Sequence, residues 1–256
     1  MNVTVAGNAN GTDRCAPVSN IIIDGNTLID CDSSIETLRV EQLLHIHRVL
    51  LSHAHFEHCG GLPFLLACHA EYNGPGITLY SQQETIDSLK AHLFNDELCP
   101  DYTAITTPAG EALLRFIPVE VGDALPLPDG MATALPAQHK VPAVSWLIEG
   151  PWRALAYTCD STCCPAFWHW AANVPSLSDI ICEITYSNEQ NEKAHAEGRM
   201  TPVMLLPMLD VVPPNVQVWI SGLAQEHRNK TLGELRHNAP PAVNVCELRQ
   251  DTVIDL

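Results

Sequence analysis

The stretch RVLLSHAHFEHCGGLPFL, residues 48–65, decides how the whole chain is interpreted. It begins with an apolar run that ends at Ser52, a pattern typical of a buried strand. The run is followed at once by four side chains that commonly bind metals: His53, His55, Glu57 and His58. Because alternate residues of an extended strand point to the same side, the first two imidazoles are expected to project together. Three imidazoles and a carboxylate at one strand end predict a metal site.

The types of ligand indicate which metals such a site would take. Imidazole and carboxylate groups suit first-row divalent ions, so zinc is the default expectation, with manganese and iron as alternatives. A single histidine in this place would be better explained as a surface residue beside a loop. The pattern H-x-H-x-E-H directly behind an apolar strand favours the metal.

The charge of the chain limits its partners. The 256 residues contain 13 Lys and Arg against 30 Asp and Glu, for a formal net charge of −17. Binding to a nucleic acid polymer requires lysines and arginines against the phosphates, so such a partner is not expected. A small anionic substrate stays compatible with the sequence, because a metal ion and a few local cations would suffice to hold it. A homodimer is left open.

The sequence shows no targeting or membrane signal. No apolar run approaches the roughly 18 residues that span a bilayer, and no membrane partner is expected. The opening residues, MNVTVAGNANG, have neither the basic nor the apolar region of a signal peptide. Ten cysteines in a chain of this length without an export signal are expected as reduced thiols. A cytoplasmic location is therefore predicted.

Apolar patterning predicts alternating groups of strands and helices. Strands are expected in NVTVAG, RVLLS and ITLYS, in a strand-rich stretch from about 104 to 158, and in VQVWIS. The segment SNIIIDGNTLIDCD is typical of two strands joined at Asp24 and Gly25, and NANGTDRCAP before it of a polar loop. Helices are expected in IETLRVEQLLHI, GGLPFLLACHAEY, QETIDSLKAHLFNDEL, TPVMLLPMLDVV and NKTLGELRHN. Without a linker or low-complexity tract, residues 1–256 are predicted to form one layered domain.

Three further segments extend the metal pattern. IIIDGNTLIDCD ends in an acidic turn, ALPAQHKVPAVSWLIEG carries His139 before a strand, and RALAYTCDST ends a strand at Asp160. Together with H-x-H-x-E-H, these segments resemble the metallo-β-lactamase superfamily, whose signature is H-x-H-x-D-H after an apolar strand. The resemblance implies an α/β fold, a four-layer αβ/βα sandwich. It also implies one metal held by His53, His55 and His139, a second held by Glu57 and His58, and Asp160 bridging the two.

One branch of that superfamily is more similar than the rest. Residues 183–209, EITYSNEQNEKAHAEGRMTPVMLLPML, resemble the class II cyclic-nucleotide phosphodiesterases, with five residues in register: Glu183, Asn188, Gly198, Thr201 and Pro202. The resemblance implies a metal-dependent hydrolase of a small phosphodiester, with a cyclic nucleotide as candidate substrate. The metal would lower the pKa of a bound water toward ~7 and polarise a phosphoryl oxygen. Asp160, Glu57 and Arg199 are the candidate catalytic residues.

The chain departs from the family pattern at three positions, two of which concern the second metal. Glu57 replaces the usual aspartate, and Gly222 in VQVWISGLAQEH stands where the last histidine ligand is expected, with His227 as a candidate substitute. Arg199 stands where the branch has a histidine, and a permanently charged arginine is a poor general acid but a good clamp for a phosphate. One tight metal site and a weak or absent second site are therefore expected.

Two other functions are compatible with these residues. A single iron held by the set of His53, His139 and Asp160 would suit an enzyme that acts on a thiol-type substrate, as in some relatives. The changes at Glu57 and Gly222 would also suit a non-catalytic metal-binding relative. Four cysteines near the motifs are further candidate ligands, although burial under a loop explains them more simply: Cys59, Cys159, Cys163 and Cys164.

Overall fold

The computed structural model describes residues 1–6, 20–224 and 226–256. The loop predicted in NANGTDRCAP lies outside these residues. Within them, fourteen strands form two seven-stranded sheets. The strands of the first sheet are β1 (Asn2–Ala6), β2 (Asn20–Ile23), β3 (Thr27–Ile29), β4 (Arg48–Leu50), β5 (Ile77–Ser81), β6 (Leu114–Pro118) and β14 (Val253–Asp255). Those of the second are β7 (Ala124–Leu127), β8 (Gly130–Pro136), β9 (Val144–Glu149), β10 (Ala154–Tyr157), β11 (Leu177–Glu183), β12 (Gln217–Ser221) and β13 (Asn244–Glu247).

Each sheet has an antiparallel half and a parallel half. The first has the order β14-β1-β2-β3-β4-β5-β6, and β3 to β6 are parallel to one another. The second has the order β13-β12-β11-β10-β9-β8-β7, and β10 to β13 are parallel. The carboxyl ends of parallel strands share an edge of the sheet, which is where α/β proteins place their binding sites.

Eight α-helices occur in the described residues. They are α1 (Val40–His45), α2 (Phe56–Cys59), α3 (Leu62–Glu71), α4 (Gln83–His92), α5 (Pro165–Ala172), α6 (Asn191–Glu197), α7 (Pro202–Leu209) and α8 (Arg228–Asn238). The parts of the chain that the structure describes contain no helix with the length and apolar character to span a bilayer.

The two sheets face each other and each carries helices on its outer face. In β4, Leu50 belongs to the core between the sheets, whereas Val49 belongs to the core beneath the first set of helices. In β10, Tyr157 packs between the sheets and Ala156 beneath the second set. This alternation explains why the central strands are apolar at every position: both of their faces are buried. The predicted four-layer αβ/βα sandwich is confirmed.

Two local predictions have different outcomes. The turn after β2 is present, with positive φ angles of 47° at Asp24 and 69° at Gly25, as a tight hairpin turn requires. The helix predicted in IETLRVEQLLHI is interrupted, because a 3₁₀ turn (Ser33–Thr37) ends before α1 begins. The hydroxyl of Thr37 donates to the Ser34 carbonyl oxygen (2.7 Å), a local bond that competes with helix continuation.

Candidate metal centre

The predicted metal ligands meet where the strands of both sheets end. His53, His55 and His58 follow β4 and extend into α2, His139 follows β8, and Asp160 follows β10. The helix α2 within the motif was not predicted; it is a single turn that begins after His55. It turns Glu57 and His58 away from the direction of the strand.

The first ligand group consists of His53, His55, His139 and Asp160. One ligand atom from each of these residues lies within 4.8 Å of the ligand atoms of the others. The Nδ1 atom of His55 is 3.1 Å from the Nε2 atom of His139, and the Nε2 atom of His53 is 4.0 Å from an Asp160 oxygen. Nitrogen and carboxylate atoms that converge in this way form a donor set suited to a first-row divalent ion.

Buried polar atoms without partners identify this group as fit for a metal. The Nε2 atom of His53 and the Oδ1 atom of Asp160 are buried without a hydrogen-bond partner, whereas Asp160 Oδ2 lies 2.8 Å from a nitrogen of Arg199. Buried polar atoms are almost always hydrogen-bonded, so unpaired ones within one ligand cluster indicate a site for a cation. A cation among the four ligand atoms would satisfy all of them.

The other ring nitrogens of these histidines are held by the protein. The Nδ1 atom of His139 donates to the carbonyl oxygen of Gly198 (2.9 Å). The Nδ1 atom of His53 is 2.9 Å from the Ser52 hydroxyl, which itself donates to Asp30 (2.9 Å). Because the hydroxyl proton points to Asp30, Ser52 accepts from His53 Nδ1–H. Both histidines then keep an Nε2 lone pair for a metal, the arrangement that supporting hydrogen bonds produce in metal sites.

Asp30 is the main supporting residue, and its role was not predicted. Its carboxylate accepts from the Ser52 amide (2.7 Å), the Tyr157 hydroxyl (3.1 Å) and His58 Nδ1 (2.8 Å). Its backbone is left-handed, with φ at 56°, which is uncommon for a residue other than glycine. The acidic turn at the end of β3 was noted in the sequence, but only the fold shows which side chains it supports.

The second ligand group consists of Glu57, His58 and Asp160. The Nε2 atom of His58 is buried without a hydrogen-bond partner and lies 3.5 Å from an Asp160 oxygen. A positive charge from the protein already lies in this group. The Nη2 atom of Arg199 is 2.8 Å from Asp160 Oδ2 and also pairs with Glu57 Oε1.

Gly222 and Glu183 lie together beside the second group. Gly222 has φ at +72°, and a Cβ atom placed there would lie 2.7 Å from the Cγ atom of Glu183. The glutamate side chain therefore fills the space next to the glycine. The Oε2 atom of Glu183 is buried without a hydrogen-bond partner. Gly222 itself offers no side-chain ligand.

Burial and local charges set the protonation of the cluster. Burial lowers the pKa of His53 well below its ordinary value, which keeps the imidazole neutral and able to bind a metal. Burial raises the pKa of Asp160, but His58 and Arg199 outweigh it and bring that pKa down to about 2. Burial and the negative charge of Asp160 raise the pKa of Glu183 to about 8, so this carboxyl is protonated at neutral pH.

The fold thus brings together the six predicted ligand residues, and their binding of a metal stays a prediction. His227 is not among them, because it lies at the start of α8 with its Nε2 atom 3.0 Å from Glu226. The cysteines are not in either group. Burial raises the pKa of Cys59 to about 12, so it stays a thiol, and Cys163 donates to the Met204 carbonyl oxygen (3.3 Å).

An αβ/βα sandwich with histidines and an aspartate clustered at its strand ends defines a protein of the metallo-β-lactamase class. The family model of the beta-lactamase superfamily domain matches residues 26–220. The chain therefore belongs to the metallo-β-lactamase superfamily, as its sequence motifs imply. A comparison with curated protein sequences finds no significant match.

Solved structures show the same fold at low sequence identity. The structure of unliganded yeast PDE1 superposes with a TM-score of 0.80 and 14% identity, covering 100% of this chain and 99% of that one. YhfI from Bacillus subtilis, a metallo-beta-lactamase fold protein, gives 0.74 and 15%, covering 99% and 98%. A diphosphatase from the PhnP family gives 0.67 and 15%, covering 100% and 97%. Phosphodiesterase-like relatives are thus among the structural neighbours.

Proposed function

We propose that this protein is a metal-dependent hydrolase of a small phosphodiester, with a cyclic nucleotide as the candidate substrate. The observation that carries the proposal is the convergence of three imidazoles and Asp160 around unpaired buried atoms, with a guanidinium beside them. His53, His55, His139 and Asp160 would hold the metal, with zinc as the first candidate and manganese or iron as alternatives. Bound there, the metal would supply Lewis acidity and a more acidic water.

The side chains around this group would position the substrate. Asp160 is ionised at neutral pH, so its carboxylate accepts a hydrogen bond from the attacking water and orients it. Arg199 carries five N–H donors, more than its contacts with Glu57, Asp160 and Thr185 use. A phosphoryl oxygen would bind to a remaining donor, and the guanidinium would offset the charge that develops there.

The neighbours and the charge of the chain support this substrate class. Yeast PDE1 and the diphosphatase are structural neighbours whose names refer to cleavage of phosphodiesters or diphosphates. The net charge of −17 opposes a long polyanion but not a small one that enters a local cationic site. We therefore propose a small anionic substrate as the partner, with no nucleic acid polymer and no membrane partner. The cytoplasmic location expected from the sequence is part of the same proposal.

An exposed aromatic ring at the metal motif favours a nucleotide. Phe56 lies in the chain between His55 and Glu57, is 69% exposed, and packs one edge of its ring over Gly60. A planar base stacked on such a ring gains ~1–3 kcal/mol. Replacing Phe56 with alanine should raise KM for cyclic AMP by about fivefold or more, and leave KM for glycerophosphoethanolamine, which has no aromatic group, unchanged. Phe64→Ala, a half-exposed ring on α3, is the control.

The direct test of the proposed function is hydrolysis by a metal-loaded protein. Turnover of cyclic AMP and of bis-p-nitrophenyl phosphate should be measured for the wild type, for His53→Ala and for His45→Ala. His45 is exposed at the end of α1, so its replacement should leave turnover unchanged. His53→Ala should lose activity by about 100-fold or more, since it removes a ligand rather than a supporting bond. Equal rates for His53→Ala and the wild type would contradict the proposal.

The position of Arg199 favours one alternative. If the second group holds a guanidinium, a single metal remains, and a single iron would suit a reaction on a thiol-type substrate. Elemental analysis together with turnover separates the two functions: a single iron and turnover of a thiol-type substrate favour the alternative, and hydrolysis of a phosphodiester favours the hydrolase. A protein that binds metal and turns over neither class of substrate would be the non-catalytic relative.

A further inference from the structure

Arg199 joins two acidic side chains that are far apart in the sequence. Its Nη2 atom pairs with Glu57 Oε1, 142 positions away, and lies 2.8 Å from Asp160 Oδ2. Glu57 and Asp160 are members of the second ligand group, whose third member is His58, and Asp160 belongs to the first group as well. One nitrogen of a permanent cation therefore contacts two of the three ligands that a metal would need there.

The fold holds this guanidinium in place. The side chain of Arg199 is only 17% exposed, and its Nη1 atom donates to the Thr185 hydroxyl (3.0 Å). Its backbone amide donates to the Ala194 carbonyl oxygen (2.9 Å) at the end of α6. The preceding Gly198 has φ at +67° and accepts from His139 through its carbonyl oxygen. Arg199 is thus fixed to the same loop that orients a ligand of the first group.

The space beside the group contains no replacement ligand from β12. Gly222, which follows β12, has no side chain, and the Cγ, Oε1 and Cδ atoms of Glu183 from β11 lie against it. A second divalent ion would have to take the oxygens of Glu57 and Asp160 from the guanidinium and lie next to its positive charge. Like charges at such short range repel strongly in a buried site.

We propose that the guanidinium of Arg199 takes the place of a second metal ion, so that the centre binds one metal and uses an arginine as its other cation. The inference rests on the metal centre proposed above, but not on its substrate. Removing the positive charge should free Glu57, His58 and Asp160, which then bind a second ion.

The test is a count of bound Mn²⁺ ions per chain. Wild-type protein stripped of metal and titrated with Mn²⁺ should bind one equivalent. Arg199→Ala and the neutral, longer Arg199→Gln should each bind a second, and electron paramagnetic resonance should show coupling between two ions roughly 3.5–4 Å apart. Arg199→Lys, which keeps the charge, should bind one. Arg153→Ala is the matched control, because Arg153 also pairs with a buried aspartate, Asp179 (2.9 Å), away from the centre, and it should bind one.

The number of bound ions tests the role of Arg199 independently of whether the protein is a hydrolase. Two equivalents bound by the wild type would overturn it, as would a single equivalent bound by both neutral variants in folded form. If Arg199→Ala does not fold, Arg199→Gln serves alone. An inactive wild type that still shows the change from one to two equivalents would contradict the proposed hydrolase and leave the role of Arg199 standing.

Discussion

The two ligand groups share Asp160 and are built from the same kinds of side chain, yet they differ in what surrounds them. In the first group, the Nε2 atom of His53 and the Oδ1 atom of Asp160 are buried without a hydrogen-bond partner. In the second, the Nε2 atom of His58 is also buried without a partner, but the side chain of Glu57 is 42% exposed and its carboxylate is paired with Arg199, which also lies 2.8 Å from Asp160 Oδ2. A set of donors becomes a metal site only where the protein leaves its charge and lone pairs unsatisfied.

The supporting bonds strengthen the contrast. Ser52 orients His53 and the Gly198 carbonyl oxygen orients His139, both of the first group. In the second group, His58 is fixed by Asp30, whereas the one partner of the Glu57 carboxylate among the described residues is Arg199. The first group is thus shaped before a metal arrives, and the second is shaped around a cation that the chain already carries.

The largest expected effect is a difference in Zn²⁺ affinity between variants of Asp160, which belongs to both groups, and of Glu57, which belongs to the second group alone. Asp160→Asn should lower the affinity for Zn²⁺ by more than about 100-fold, because it removes a ligand and its charge from the first group. Glu57→Gln, which touches only the second group, should lower that affinity by less than about 10-fold. Competition titration with a chromophoric chelator measures both. Equal losses in the two variants would mean that the groups do not differ as described.

A smaller effect is expected at Asp30. Asp30→Asn keeps the size of the side chain but weakens its bonds with Ser52 and His58, so the metal affinity should fall by about 10- to 100-fold. Tyr157→Phe removes a single bond to the same carboxylate and should cost about 1 kcal/mol of unfolding free energy with little change in affinity. Chemical denaturation and the same titration give both values. An affinity in Asp30→Asn equal to that of the wild type would show that the support is not needed.

The smallest effect on metal affinity is expected at Gly222, where the cost falls on stability. Gly222→Ala should destabilise by roughly 2–4 kcal/mol, because a positive φ strains any side chain and Glu183 leaves it no space. Gly110 has φ at +82° with nothing within 4 Å of an added Cβ, so Gly110→Ala isolates the strain, at about 1–2 kcal/mol. If Gly222→Ala and Gly110→Ala had the same denaturant midpoint, the contact with Glu183 would be refuted.

Every member of the first ligand group was predicted from the sequence. The strand before Ser52 and the spacing of His53 and His55 follow from alternation, which is a local property. His139 and Asp160 came from resemblance to a family, because nothing in the intervening sequence indicates that β8 and β10 end beside β4. A layered domain was predictable from the alternating groups of strands and helices, and the number of layers from the family resemblance.

The second group could not be predicted in the same way. The meeting of Arg199 with Glu57 depends on the loop between α6 and α7 reaching across the centre, and a separation of 142 positions leaves no pattern in the sequence. The role of Asp30 depends on a left-handed backbone and on four donors from three distant residues, Ser52, His58 and Tyr157. The break between the 3₁₀ turn and α1 depends on competing side-chain bonds, which apolar spacing does not show.

The most direct test of the difference between the two groups is to locate the metal. Crystals soaked in Zn²⁺ and measured at the zinc absorption edge should give one anomalous peak, surrounded by His53, His55, His139 and Asp160. Arg199 should still pair with Glu57 in the same crystals. A peak between Glu57 and His58, alone or as a second site, would contradict the account.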